Sequence, residues 1–352
     1  MPGRRTSAAL VVAVLLAALG CAPARDDDPA PAARTAPTAP AAPTAPTAPA
    51  SSPDPAGPSG RHVVAISVDG LSVSAVRALG RRGAPTLDRL LREGASTLNA
   101  RSAYEQNVTL PNHAGMVTGR RIDAARGGHG VTWNHDAPDD TVQAAAGEEV
   151  PSIFTVAHEH GLATALFSGK AKFDIFADSW PKAIDEVAIL DDPEELVAAA
   201  TDHLRAQQPD LTFLHLDPPD AAGHASGGMS PAYLDAVRLV DRLIGEVLAT
   251  IDGTPPLADA TTVVLTADHG FRRGAREHGA HEPQNYTVPF LVWGAGIAPG
   301  DLYERNRDRR DPGAGRPSYD GPQPIRNRDL AAATMQALGL PPVQPGDARL
   351  AW

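Results

Sequence analysis

The sequence predicts an α/β fold: a mostly parallel central sheet with helices on both faces. Short apolar runs rich in β-branched residues recur along the chain, bounded by turn residues. Helical patterns separate them, as crossover connections require. Several runs end in carboxylates or imidazoles, and a parallel sheet binds its ligands beyond the carboxyl ends of its strands.

The elements follow in order. Residues 62–68 read as a buried strand ending at Asp69-Gly70. Residues 85–93 form a helix with a Leu87, Leu90, Leu91 stripe. A helix over 152–160 is stopped by Gly161, and a strand over 162–167 follows. Residues 193–207 are helical in pattern, and 211–216 form a strand ending at Asp217-Pro218. The strongest helix is 231–250, where Leu234, Val237, Val240, Leu243, Ile244, Val247 and Leu248 recur at helical spacing. Residues 261–266 are the cleanest strand and run into Asp268-His269-Gly270. A strand over 288–293 and a helix over 327–338, ended by Gly339, close the fold.

The chain has 352 residues, a net charge of −11, 34 prolines and one cysteine. A single cysteine excludes a disulfide framework and any Cys-rich metal site. The acidic balance and 5% aromatic content argue against a nucleic-acid polymer as partner. Arg4 and Arg5, an apolar run over 8–19 and Gly20-Cys21 read as a lipoprotein-type signal over 1–21. Lipidation of Cys21 would anchor the chain to a membrane on the extracytoplasmic face of a bacterial cell. Residues 22–60, rich in Pro, Ala and Thr, read as a disordered tether. Residues 61–352 then remain as one large globular domain with a substantial core.

Asp69, Thr109, Asp220, His224, Asp268, His269, His278 and His281 are the candidate chemistry-bearing residues. They offer oxygen and nitrogen without thiolate, a donor set that zinc accepts at catalytic sites. Two groups of ligands suggest two metals, an arrangement suited to in-line phosphoryl displacement. Each residue has a plainer reading: Asp69-Gly70 is also a common turn, and His113 is also a hydrogen-bonded core histidine. The conjunction in this order outweighs them.

The motifs are Asp69-Gly70, Thr109-Leu110-Pro111-Asn112-His113, Thr118-Gly119, His129-Gly130, Pro219-Asp220-Ala221-Ala222-Gly223-His224, Thr266-Ala267-Asp268-His269-Gly270 and Asn285 to Phe290. With them the chain resembles the alkaline phosphatase superfamily, and within it the type I phosphodiesterase/nucleotide pyrophosphatase family, from about residue 63 to 342. The resemblance implies two Zn²⁺ ions. Asp69, Asp268 and His269 would hold one, which also binds the Thr109 oxygen. Asp220, His224 and a late histidine would hold the other; His278 fits that position best and His281 is the alternative. Thr109 would be the nucleophile of a covalent phosphothreonine intermediate, with Asn112 or Asn134 donating to a phosphate oxygen. The activity implied is hydrolysis of phosphodiester or nucleotide pyrophosphate bonds in a small phosphate-ester substrate.

Other readings stand beside this one. Lys170 and Lys172 resemble the Lys-x-Lys by which phosphonoacetate hydrolases hold their substrate's carboxylate. That makes phosphonoacetate hydrolysis, or a phosphomonoesterase activity on a small anionic substrate, the main alternative. Sulfatases share the fold but take their nucleophile from a Cys or Ser in another signature. Lipid-headgroup transfer stays open because a lipid anchor would hold the domain near a membrane. A non-catalytic metal-binding surface lipoprotein is the third class, and it predicts no effect of Thr109→Ala.

Overall fold

The computed structural model describes residues 60–137, 140–279, 281–344 and 349–352. The signal and Cys21 lie outside the described residues, as does all of the tether but its last position. The first strand, β1, spans His62–Val68; α1 (Val73–Gly83) and α2 (Pro85–Glu93) follow, then β2 (Ala95–Arg101). Helix α3 is Thr109–Thr118, α4 Val142–Ala146 and α5 Ile153–Glu159. Strand β3 (Thr164–Ser168), α6 (Asp174–Ser179), β4 (Glu186–Ile189) and α7 (Pro193–Gln207) come next. The second half contains β5 (Leu211–Leu216), α8 (Pro218–Ser226), α9 (Pro231–Gly253), α10 (Pro255–Ala258) and β6 (Thr261–Thr266). It closes with α11 (Pro283–Tyr286), β7 (Thr287–Gly294), β8 (Gly300–Asp301), α12 (Leu302–Arg305) and α13 (Asp329–Leu338).

The eight strands form one sheet in the order β4-β3-β5-β1-β6-β7-β2-β8. From β4 to β6 all neighbours are parallel. Strand β7 runs antiparallel to both β6 and β2. The expected mostly parallel sheet is therefore present, with an antiparallel turn on one side. Helices α3, α5 and α13 pack together, and α13 lies on β1 and β6. Helix α9 gathers α1, α2 and α7 in a second helical layer, and α2 and α7 reach β2, β7, β3 and β4. The predicted stripe of α9 is buried at Val237, Val240, Leu243, Ile244, Val247 and Leu248. No helix among the described residues is long and apolar enough to cross a membrane.

One detail of register positions the site. Ser168, His215, Ser67 and Thr266 are successive cross-strand partners on β3, β5, β1 and β6. All four are fully buried. A polar row at the carboxyl end of otherwise apolar strands needs partners, because unpaired polar groups in a core are costly. That row is the floor of the site.

Candidate metal centre

Two adjacent strands deliver the first group of ligands. Asp69 follows β1 directly, and its backbone N–H donates to Leu216 O. Asp268 and His269 follow β6, the neighbour of β1. Gly70 adopts φ +70°, and a Cβ there would lie 3.0 Å from the Asp220 Cα, so glycine lets α8 approach. The Gly70 and His269 amides both donate to Asp268 Oδ1, at 3.0 and 2.8 Å. Asp268 Oδ2 is left facing His269 Nε2 at 3.1 Å. The second group comes from α8 and the segment beyond β6. Asp220 and His224 are four residues apart on α8 and so share one face.

Asp69, Asp268 and His269 form one set whose ligand atoms lie within 4.8 Å of one another. Asp220, His224 and His278 form another with the same closeness. The sets touch: His269 Nε2 lies 3.4 Å from Asp69 Oδ1 and 3.7 Å from Asp220 Oδ1. His224 and His278 approach Asp220 Oδ1 to 3.4 and 3.6 Å through their Nε2 atoms. His281, by contrast, is exposed and belongs to neither set.

Three features show that these residues fit metal ions. Asp69 Oδ1, Asp220 Oδ1, Asp268 Oδ2 and His269 Nε2 are buried without a hydrogen-bond partner. Such orphaned atoms cost free energy unless something binds them. The Nδ1–H of His278 donates to Asn107 O at 2.6 Å and that of His224 to Arg276 O at 2.7 Å. This fixes the tautomer and leaves Nε2 lone pairs as ligands. Those two Nε2 atoms face each other at 3.2 Å, where only a cation or a shared proton offsets their repulsion.

The electrostatics agree. Burial opposes charge on Asp69, but Lys170 and His215 hold its carboxyl well below the ordinary range. Burial, then the neighbouring Asp69 and Asp220 carboxylates, pushes Asp268 well above it. Burial lowers His269 and His278, so both stay neutral ligands at physiological pH.

Beneath these groups lies a network. His215 Nε2–H donates to Asp69 Oδ2 at 3.1 Å, and its Nδ1 pairs with Ser168 Oγ at 2.9 Å. His113 Nδ1–H donates to Thr109 O at 2.8 Å, and Ser67 Oγ–H donates to His113 Nε2 at 2.7 Å. Burial pushes His113 down to about 3, so it is a neutral strut. Its Nδ1 is also 3.8 Å from Asp268 Oδ2, which sets the Thr109 turn beside the first group. Thr109 is the first residue of α3, with Pro111 in the opening turn, and is buried.

The remaining sequence candidates fall in different places. Asn134 Oδ1 accepts from the Leu110 N–H at 2.9 Å, so its amide stands at the start of α3. Asn112 is occupied otherwise: its Nδ2 donates to Gln106 O and Val108 O, and its Oδ1 accepts from Ala103 N and Asn327 Nδ2. It braces the segment before Thr109 and presents no donor to a phosphate. Lys172 donates to Asn134 O at 3.1 Å. Lys170 donates to Asp69 Oδ2 at 2.7 Å and to Asp220 Oδ2 at 2.5 Å, not toward open space. A cavity of about 390 Å³ adjoins the start of α3, lined among others by Leu110, Trp133, Lys172, Asp174 and Asp178. Sequence reasoning missed His215 and Asn107. A histidine inside the apolar run Leu211–Leu216 was the available signal for the first; Asn107 carried none.

The fold is similar to that of solved proteins of the alkaline phosphatase superfamily. The chain belongs to the type I phosphodiesterase/nucleotide pyrophosphatase family, whose sequence profile matches residues 63–289. It is 32% identical over 173 residues to GPI ethanolamine phosphate transferase 1 of Emericella nidulans, covering 48% of this chain. The match spans only 17% of that relative's length. A solved alkaline phosphatase superfamily protein from Vibrio parahaemolyticus superposes with a TM-score of 0.56 at 16% identity, over 82% of this chain and 69% of that one. Inactive murine ectonucleotide pyrophosphatase/phosphodiesterase 5 in complex with AMP gives 0.55 at 16% identity, over 81% and 96% of the two chains.

Proposed function

We propose that the protein is a metal-dependent phosphodiesterase in which Thr109 is the nucleophile. The observation that carries this reading is the pair of ligand sets, with their orphaned inward atoms, beside the first turn of α3. Asp69, Asp268 and His269 would hold one ion, and Asp220, His224 and His278 the other. The donors suit zinc, which would supply Lewis-acid charge for the attacking and leaving oxygens.

The chain's own groups do the rest. A threonine hydroxyl needs activation and placement to attack. The His113 bond to Thr109 O and the Asn134 bond to Leu110 N fix that turn. The Asn134 amide, held at the start of α3, suits a phosphate oxygen. Thr109 Oγ gives up its proton and bonds to phosphorus as the bond from phosphorus to the ester oxygen breaks, and that oxygen leaves as the protonated alcohol. Water then attacks the same phosphorus, the Oγ–P bond breaks, and the threonine hydroxyl is restored.

The cavity beside Leu110 would take the alcohol portion of the substrate. Asp136, Asp174 and Asp178 line it and make no ion pair among the described residues. Partial burial and the carboxylates of Asp178 and Asp136 raise the Asp174 carboxyl above its ordinary value. Set against the single ammonium of Lys172 in the same wall, these three carboxylates favour a neutral or cationic leaving portion over an anionic one such as the acetate of phosphonoacetate. Ethanolamine, which names the transferase relative, carries an ammonium group of this kind. Cys21 would be lipidated, with the domain extracytoplasmic; mass spectrometry of the membrane-extracted protein tests that separately.

The test of the activity is turnover of the zinc-loaded protein on an aryl phosphodiester, an aryl phosphomonoester and phosphonoacetate side by side. We expect the diester to be preferred. Preference for phosphonoacetate would overturn the diesterase reading, and no turnover with two zinc ions bound would favour a metal-binding role.

A further inference from the structure

We propose that Lys170 is a positioning residue that ties the two metal positions together. The inference rests on the two-metal reading and adds a residue to it. Its ammonium donates to one oxygen of Asp69, from the first ligand set, and to one oxygen of Asp220, from the second. The oxygens it takes are the two Oδ2 atoms, whereas the two Oδ1 atoms are the orphaned ones. Those same Oδ1 atoms face the histidine Nε2 atoms. One ammonium therefore divides each carboxylate into a held oxygen and an offered oxygen.

The consequence is a coordination mode. A free carboxylate can bind a cation through both oxygens, but one with Oδ2 committed to an ammonium binds through Oδ1 alone. Lys170 imposes this on both sets and fixes their separation through three hydrogens on one nitrogen. His215 reinforces the effect at Asp69 only, since it too donates to Oδ2. Keeping coordination numbers low leaves positions for the substrate oxygens, which a catalytic metal site requires.

Affinity alone is an ambiguous readout. Removing a positive charge draws cations in, while freeing the carboxylates disorders them. Coordination geometry separates the two effects. Cobalt(II) absorbs visible light more strongly at low coordination number, so it reports the mode directly. The experiment titrates cobalt into the metal-free protein, comparing wild type with Lys170→Met, Lys170→Gln, Lys170→Arg and Lys172→Met. Circular dichroism and Tm verify that each variant is folded.

The expected result is two cobalt equivalents in the wild type, with visible absorption lost at both equivalents in Lys170→Met. Lys170→Gln, which lacks the charge and the reach, repeats that loss if the methionine variant folds poorly. Lys170→Arg, able to donate to both carboxylates, recovers intensity, and Lys172→Met matches the wild type. Unchanged spectra in folded Lys170→Met and Lys170→Gln overturn the proposal, and so does a change confined to one equivalent. An unchanged spectrum with a raised KM for phosphonoacetate would move Lys170 from the ligands to the substrate. Failure of the wild type to bind two cobalt ions would instead sink the two-metal reading, a distinguishable outcome.

Discussion

Thr109 and the residues that hold it make the most direct prediction. Thr109→Ala should lower turnover by about 10³-fold or more, because it removes the group that forms the covalent bond. Zinc content, measured by elemental analysis, should stay at two ions per chain, since six other side chains make up the two ligand sets. His278→Ala should lose one ion, whereas His281→Ala should lose none, as its side chain is exposed and outside both sets. Asp217 offers a pH test. Burial, against the pull of Lys170, raises its carboxyl to about 6. The folded state then holds a proton that the unfolded state releases near pH 4, so stability falls as pH rises through that window. In chelator-treated protein, Asp217→Asn should therefore raise Tm above pH 6, and the gain should shrink as pH falls toward 4.

Among the elements, helix α9 reaches the site through one side chain. Tyr233 OH donates to Gly70 O and accepts from Ser72 N at 2.8 Å, and the ring is fully buried. Tyr233→Phe should cost about 1–3 kcal/mol of stability by stranding those backbone groups, read as a lower midpoint in urea. The strands β1, β5 and β6 and helices α2 and α7 were legible to the residue, because short β-branched runs and amphipathic stretches bounded by clear stops show their limits in the sequence. Strand β2 was not: Ser96, Thr97, Asn99 and Arg101 dilute its pattern, and its pairing with β7 and β8 makes it a strand. Helix α8 was hidden by two prolines and a glycine, although its Asp220 and His224 were recognised from their motif. The candidate metal-binding residues were readable because they sit in short, ordered motifs. The contacts that Asn112 and Lys170 make were not, since those partners lie on other segments or depend on loop geometry that no local spacing encodes.

Across the whole molecule, ion binding and folding should be linked, since the ligands converge only when β1, α8 and the segment after β6 are in place. Zinc should raise Tm and a chelator should lower it, and equal Tm values in both conditions would argue against ions held by this centre. The two ligand sets also differ in where they are rooted. One hangs from the ends of β1 and β6 in the middle of the parallel sheet, with every member fully buried. The other hangs from a nine-residue helix and a strand-free segment, and the His224 side chain is 40% exposed. Regions with fewer buried contacts open more often than core strands. The two ions should therefore have unequal residence times: a chelator would strip one rapidly, and the other would leave only at the slow rhythm with which the sheet itself comes apart.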